Sequence, residues 1–449
     1  MIKKKNLIFF LLFVFIANCS FDNKTGIWGG SEEEKRRLLE LEKQQNEKVS
    51  VDKVYSSENI FSKELALKKE ILLSKPIKNK NWGMQGLNHQ NYYSNIYLSG
   101  INQMFLKKKI GKNKSSISRV KTPPLILENN IIFSDDKGTI FNINLNGKIN
   151  WKKNIYKKYY KKIYKNLSFS VYKNIIYIAD NIGFIYAISL REGKIVWIKN
   201  HGIPLRSKIK IFKNKIFLIN QDNRLISLST KDGSLIWDIR SISSFIKSQN
   251  FLSLAISEQG DVIASNSAGD LLKVNSKNGS VYWSLNALKS MMAHATDFFR
   301  SSDIVVTDKN IFFSTQFSFF SYDLNNGYTN WEKDISSVGA PIIVGKNVFI
   351  VTENGYFVIL NAETGEIISS TNILNILKKK NQSTKVTGFI MGSGKIYSVT
   401  LNGFLIISSA STGKVEEFKK LGDPVTANPI ISNGKLFIYT DNSRILGFN

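Results

Sequence analysis

The sequence is poor in the residues that build most catalytic and metal sites. It has one cysteine in 449 residues, so no intrachain disulfide framework and no Cys-based metal site can form. Its three histidines, His89, His201 and His294, stand far apart with no ligand-like spacing. No nucleophile elbow, Gly-rich phosphate loop or metal signature occurs. Acidic residues number 35 against 62 basic ones, a net charge of +27. The apolar run at residues 7–16 holds ten residues, half of the about 20 that a membrane-spanning helix needs. Apolar residues still make up 43% and charged residues 22%, enough to bury a core and to exclude wholesale disorder.

The N-terminus carries an export pattern. Lys3, Lys4 and Lys5 precede the apolar run, as in a secretory signal. Ile16-Ala17-Asn18-Cys19 follows and resembles a bacterial lipobox, with Asn18 where Gly or Ala is usual. The expectation is a signal peptide at residues 1–18 and acylation of Cys19. Each buried methylene contributes about 0.8 kcal/mol, so two or more chains hold a protein on a membrane. Ser20 is compatible with sorting to the outer membrane, on its periplasmic face. An exported protein does not meet nucleic acid. Only nine of the 62 basic residues are Arg. The charge excess therefore reads either as a Lys-rich solvated surface shaped by coding bias or as attraction to an anionic membrane face or acidic partner.

Residues 19–102 show no repeat and are expected to form a tether. Ser31 and Glu34 make a capping box for a helix at about 31–48, whose few apolar residues are Leu38, Leu39 and Leu41. Residues 62–73 suggest a second short helix, and Pro76 marks the next break.

From residue 103 the chain repeats. One copy has Gly183, Gly193 and Trp197. The same order recurs with Asn223, Gly233 and Trp237, with Gly269, Gly279 and Trp283, and, one residue short, with Gly138, Gly147 and Trp151. Another has Phe317, Gly327 and Trp331. Two keep both glycines but not the tryptophan: Gly355 and Gly365 with Ser369, then Gly403 and Gly413 with Glu417. The second glycines fall 46, 40, 46, 48, 38 and 48 residues apart, a period that marks propellers or arrays. Strands alternate with turns whose Gly or Asn tolerates positive φ, and no helical period intervenes. Four short strands per repeat and about eight repeats predict an all-β, eight-bladed propeller over residues 103–449. An eighth repeat stops after residue 448, so residues 104–111 are expected to supply the last blade's missing strand and close the ring. The recurring tryptophans are expected to pack between blades.

The Gly…Gly-Lys-x-x-Trp unit resembles the repeat of pyrroloquinoline quinone (PQQ)-type propellers. Together with the lipobox, the chain resembles the BamB-type lipoproteins of the outer-membrane β-barrel assembly machinery. Supporting stretches are Asn81-Trp82-Gly83-Met84-Gln85-Gly86 with Asn88-His89, Ser115-Ser116-Ile117-Ser118-Arg119 leading to Thr122-Pro123-Pro124, and Gly202-Ile203-Pro204-Leu205-Arg206. The resemblance implies a non-catalytic scaffold, without PQQ, that binds the periplasmic domains of the central barrel subunit, and nascent outer-membrane proteins with it. It implies partner contact through an apolar-x-apolar-Arg run, matched by Ile203, Leu205 and Arg206, and through an acidic loop that maps to Asp297. Phe298-Phe299-Arg300 departs from an acidic pattern. The residues themselves leave two readings of the first run: an interface element at one rim, or a core strand start at Leu205 with a solvated Arg206. Two other functions fit less of the sequence. One is a lipid-anchored propeller that binds cell wall or another anionic polymer, for which the Lys- and Tyr-rich residues 152–165 are suited. The other is a PQQ dehydrogenase, whose family pairs vicinal cysteines against the cofactor; this chain has no second cysteine.

Overall fold

The computed structural model describes residues 20–21, 28–29, 61–112, 122–157, 160, 163, 165–240, 252–287 and 300–449. Cys19, the expected helix at 31–48, the stretch 115–119, His294 and Asp297 lie outside the described residues. Within residues 1–60, Ser20–Phe21 pairs antiparallel with Trp28–Gly29.

Residues 61–449 form one compact unit. It contains eight antiparallel sheets in chain order, each a blade. Blade 2 shows the plan: Leu167–Tyr172, Ile175–Asp180, Phe184–Ser189 and Ile195–Asn200 pair in sequence order. The first strands of successive blades approach one another around the centre, and the fourth strands form the outer rim. The middle strands are apolar on both faces and almost wholly buried, because each blade packs against a neighbour on either side. Blade 8 consists of Ile430–Ser432, Lys435–Tyr439 and Arg444–Phe448, and its outer strand is Met104–Lys109. The expected closure is therefore formed, and it removes the open sheet edge that a partial blade would leave.

Two devices recur in every blade. The last residue of the second strand, or the residue just after it, caps the following turn with its side-chain oxygen. Asp180 Oδ1, for example, accepts from the backbone N–H of Ile182, Gly183 and Phe184. Asp135, Asn220, Asn266, Thr315, Thr352, Thr400 and Thr440 do the same in the other seven. The outer strand also bulges at one fixed place, next to the tryptophan position, as at Val196 in blade 2, which lies between the pairs Ala187–Trp197 and Ile188–Ile195.

The repeat glycines and tryptophans meet across blades rather than within one. Trp151, Trp197, Trp237, Trp283 and Trp331 each donate their indole N–H to a carbonyl in the next blade's last turn. The second glycine of that next blade lies under the ring. At Gly365, with φ +68, a Cβ would stand 2.6 Å from Trp331 Cδ2. Only glycine both adopts this backbone conformation and leaves room for the ring.

Blades 6 and 7 lack the tryptophan, and the segment before the repeats takes its place. Leu65 and Ser370 exchange backbone hydrogen bonds of 2.9 Å each, so the segment adds to the outer edge of blade 6 (Ile367–Asn372). Ser369 Oγ donates to Leu65 O, and Ile71 N donates to Ser411 O in the turn of blade 7. Between blades 7 and 8 the buried Ile101 accepts a bond from Lys419 Nζ, while Gln103 pairs with Asn449. Residues 62–73 are thus extended rather than helical, because their backbone groups bond to blade edges instead of to each other. The compact body reaches back to Phe61, well before the first blade.

Candidate partner-binding face and the central channel

The run Ile203-Pro204-Leu205-Arg206 connects blade 2 to blade 3 on the face that carries the turns between second and third strands. Leu205 N donates to Asp180 O, Gln221 N donates to Pro204 O, and Arg206 N donates to Ile219 O. Leu205 is 2% exposed and packs with Ile185, Ile209 and Ile226. The first of its two sequence readings, an interface side chain, is therefore replaced by the second: Leu205 is core, because the Pro204 connection drops the chain into the start of blade 3. Ile203 and Arg206 stay half-buried at the surface. Arg206 Nη2 donates to Gln221 Oε1 at 3.2 Å, its Nε has no partner, and burial pushes its pKa down. A half-buried guanidinium beside an apolar side chain suits a carboxylate or carbonyl of a partner. His201 is half-buried nearby, and burial, with Lys199 adding to it, lowers its pKa. It is therefore neutral at pH 7.

A second feature was not legible as structure in the sequence. Residues 79–96 thread the centre of the ring. Asn81–Trp82 adds a fifth strand to the inner edge of blade 1, at Leu125–Leu127. Gly83 O accepts from Val171 in blade 2, His89 O from Ile256 in blade 4, and Gln90 O from Val306 in blade 5. Asn91 Nδ2 donates to Leu254 O at 3.0 Å and Ile304 O at 2.8 Å. The circuit ends on the hairpins of blades 7 and 8, through Ser393 N to Ile96 O and Asn433 N to Asn79 O.

Lys210, on the inner strand of blade 3, anchors this segment. It is fully buried, and its Nζ donates to Gln85 O, Asn88 O and Asn91 Oδ1. The three acceptors match the three donors of an ammonium. Burial acts against that charge and pushes the pKa down to about 7; Asp303 acts upward and Lys208 downward. Gly86, at φ +83, lies so close that a Cβ there would stand 2.0 Å from Asn91 Oδ1. Trp82 and Tyr93, both buried, pack at 5.5 Å between ring centroids.

Residues 168–371, somewhat under half of the chain, match the profile of a family described as outer membrane protein assembly factor BamB. They span blades 2 to 6. The BamB structure from Moraxella catarrhalis superposes with a TM-score of 0.63 at 13% identity, covering 77% of this chain and 100% of that one. The chain has an eight-bladed propeller fold similar to that of BamB.

Dehydrogenases share this propeller architecture. The quinohemoprotein alcohol dehydrogenase of Comamonas testosteroni matches with a TM-score of 0.62 at 11% identity, covering 80% of this chain and 76% of that one. A europium-containing methanol dehydrogenase matches with a TM-score of 0.62 at 11% identity, covering 80% and 90%. A search of curated proteins finds no match. A quinone and its cation enclosed by a ring of blades need room and free polar ligands at the centre. Here that space holds the chain's own residues 81–96, with Lys210 and Asn91 already bonded to the segment and the inner strands. Among the described residues, no three His, Cys, Asp or Glu side chains converge as metal ligands. The described residues at the centre do not fit such a cofactor.

Proposed function

We propose that this protein is a non-catalytic scaffold of outer-membrane β-barrel assembly. In this reading it is acylated at Cys19, held on the periplasmic face of the outer membrane, and bound to the periplasmic domains of the central barrel subunit, where it assists folding and insertion of barrel proteins. The observation that carries the reading is the BamB-family match over blades 2 to 6. A ring whose centre is taken up by its own chain supports it, because such a ring offers rims and edges to partners rather than a cavity to a substrate. The partner face assigned here is the rim around Ile203 and Arg206.

The test is retention of the full chain by the immobilised periplasmic domains at low and moderate salt. Wild type is expected to be retained at both, because a contact with an apolar component weakens less with ionic strength than a purely charged one. Ile203→Asp with Arg206→Glu is expected to abolish retention. Leu205 is left intact, since truncating a buried Leu costs about 2–5 kcal/mol of folding stability and would confound the result. Retention untouched by the double change would move the interface elsewhere. Absence of retention by folded wild type would contradict the scaffold reading.

A further inference from the structure

Charge is spread unevenly along this chain. Residues 71–179 hold 20 of the 62 Lys and Arg residues but 3 of the 35 Asp and Glu residues. The fold gathers the centre of that excess on two neighbouring outer strands. Met104–Lys109 of blade 8 presents Lys107, Lys108 and Lys109, and Ile149–Asn154 of blade 1 presents Lys152 and Lys153. Lys148 stands in the turn just before the second strand, and all six lysines are exposed. The two strands form one surface: Lys108 Cγ lies 3.1 Å from where a Cβ of Gly147 would stand. Neither strand carries an acid, and residues 137–179 contain none.

Every other outer strand with more than one charge mixes the signs, in blades 3, 5 and 7, and those of blades 2, 4 and 6 carry one charge or none. In blade 3 Asp238 pairs with Arg224, and in blade 7 Glu416 pairs with Lys395 at 2.6 Å beside Lys419 and Lys420. The lysine wall also has an apolar border. Met104 and Ile149, 43% and 41% exposed, stand at the same end of their strands, with the lysines following.

We propose that the outer rim of blades 8 and 1 docks the folded propeller against an anionic phospholipid bilayer. Lysine ammoniums on long flexible stems neutralise headgroup phosphates without a fixed geometry, while the stems and the bordering Met and Ile settle among the headgroups. A protein partner is the poorer fit: protein interfaces are enriched in Arg and depleted in Lys, and this wall has no Arg on either strand. The inference stands apart from the scaffold reading and from acylation of Cys19, because the wall belongs to the propeller itself.

The experiment uses the full chain carrying Cys19→Ser, so that no acyl chain contributes. It is mixed with vesicles of phosphatidylcholine alone or of phosphatidylcholine with phosphatidylglycerol, and acetylation of each lysine is followed by mass spectrometry. Lys107, Lys108, Lys109, Lys152 and Lys153 are expected to be protected on the anionic vesicles only, and to lose protection at high salt. Changing these five to Gln is expected to lower flotation with anionic vesicles by more than tenfold, since each lysine near such a surface is worth about fivefold. A charge-matched variant, Lys213, Lys231, Lys277, Lys346 and Lys379 to Gln, is expected to retain most of the binding. Equal labelling on both vesicle types, or equal loss in the two variants, would overturn the proposal. So would protection by an acidic protein domain without protection by vesicles.

Discussion

Trp331→Ala is expected to lower the free energy of unfolding by about 3–5 kcal/mol, read from denaturant titration. Trp331 is 7% exposed, its indole N–H donates to Ala362 O at 2.9 Å, and its ring meets Phe319 edge-on at 5.4 Å. Truncation removes the ring that lies on Gly365 and leaves the Ala362 carbonyl without its donor. The gap would open between blades 5 and 6. Blade 6 shows what filling requires: Ser369 stands at the tryptophan position there, and Leu65 to Ile71 occupy the edge instead. Trp283, which is only half-buried, is expected to cost less on the same change. Equal losses at the two positions would contradict a burial-based account.

Lys210→Ala is expected to be comparably damaging, and to act through the channel segment. It leaves Gln85 O and Asn91 Oδ1 without a donor in a buried place, each at a cost of about 1–3 kcal/mol, while Asn88 O keeps only its 3.4 Å bond from Asn91 N. Lys210→Met keeps most of the volume and separates the packing loss from the polar one. The pH dependence has a definite sign. Burial lowers the folded-state pKa from 10.5 to about 7, while the unfolded chain keeps its proton up to its ordinary pKa. Between those values unfolding takes up a proton, so this lysine's contribution to stability grows as pH rises from about 7 towards 10 and is lost as pH falls through 7. The charged groups around it are Asp303, Lys208 and His89; Lys208 and Asp303 pair with each other at 2.6 Å, and burial lowers the His89 pKa. Denaturation curves at pH 6, 7 and 9 check this. The rise seen in wild type is expected to be missing in Lys210→Met, and identical slopes would refute the assignment.

What was legible in the sequence was what repeats. Glycine–glycine–tryptophan spacing gave the blades, and the truncated last repeat pointed to Met104–Lys109 as the closing strand, because periodicity carries over from one copy to the next. The turn caps were present and overlooked: Asp135, Asp180, Asn220, Asn266 and four threonines share one role under three residue names. The channel segment could not be read at all. Its contacts run through backbone carbonyls and through Asn and Gln side chains, which have no period and no characteristic spacing. Asn81-Trp82 and Asn88-His89 marked it by resemblance alone. Leu205 illustrates a different limit. A Leu next to an Arg after a Pro fits a rim and a strand start equally well, and only the hydrogen bonds from Leu205 to Asp180 and from Arg206 to Ile219 separate the two.

The central claim is that this propeller works as a bound scaffold of barrel assembly. It is tested most directly by isolating the full chain, under native conditions, from detergent-extracted envelopes of its own cell and identifying what comes with it. The account predicts that the central barrel subunit is recovered in near-stoichiometric amount, in a preparation that resists moderate salt. Recovery of the folded protein without that subunit would contradict it.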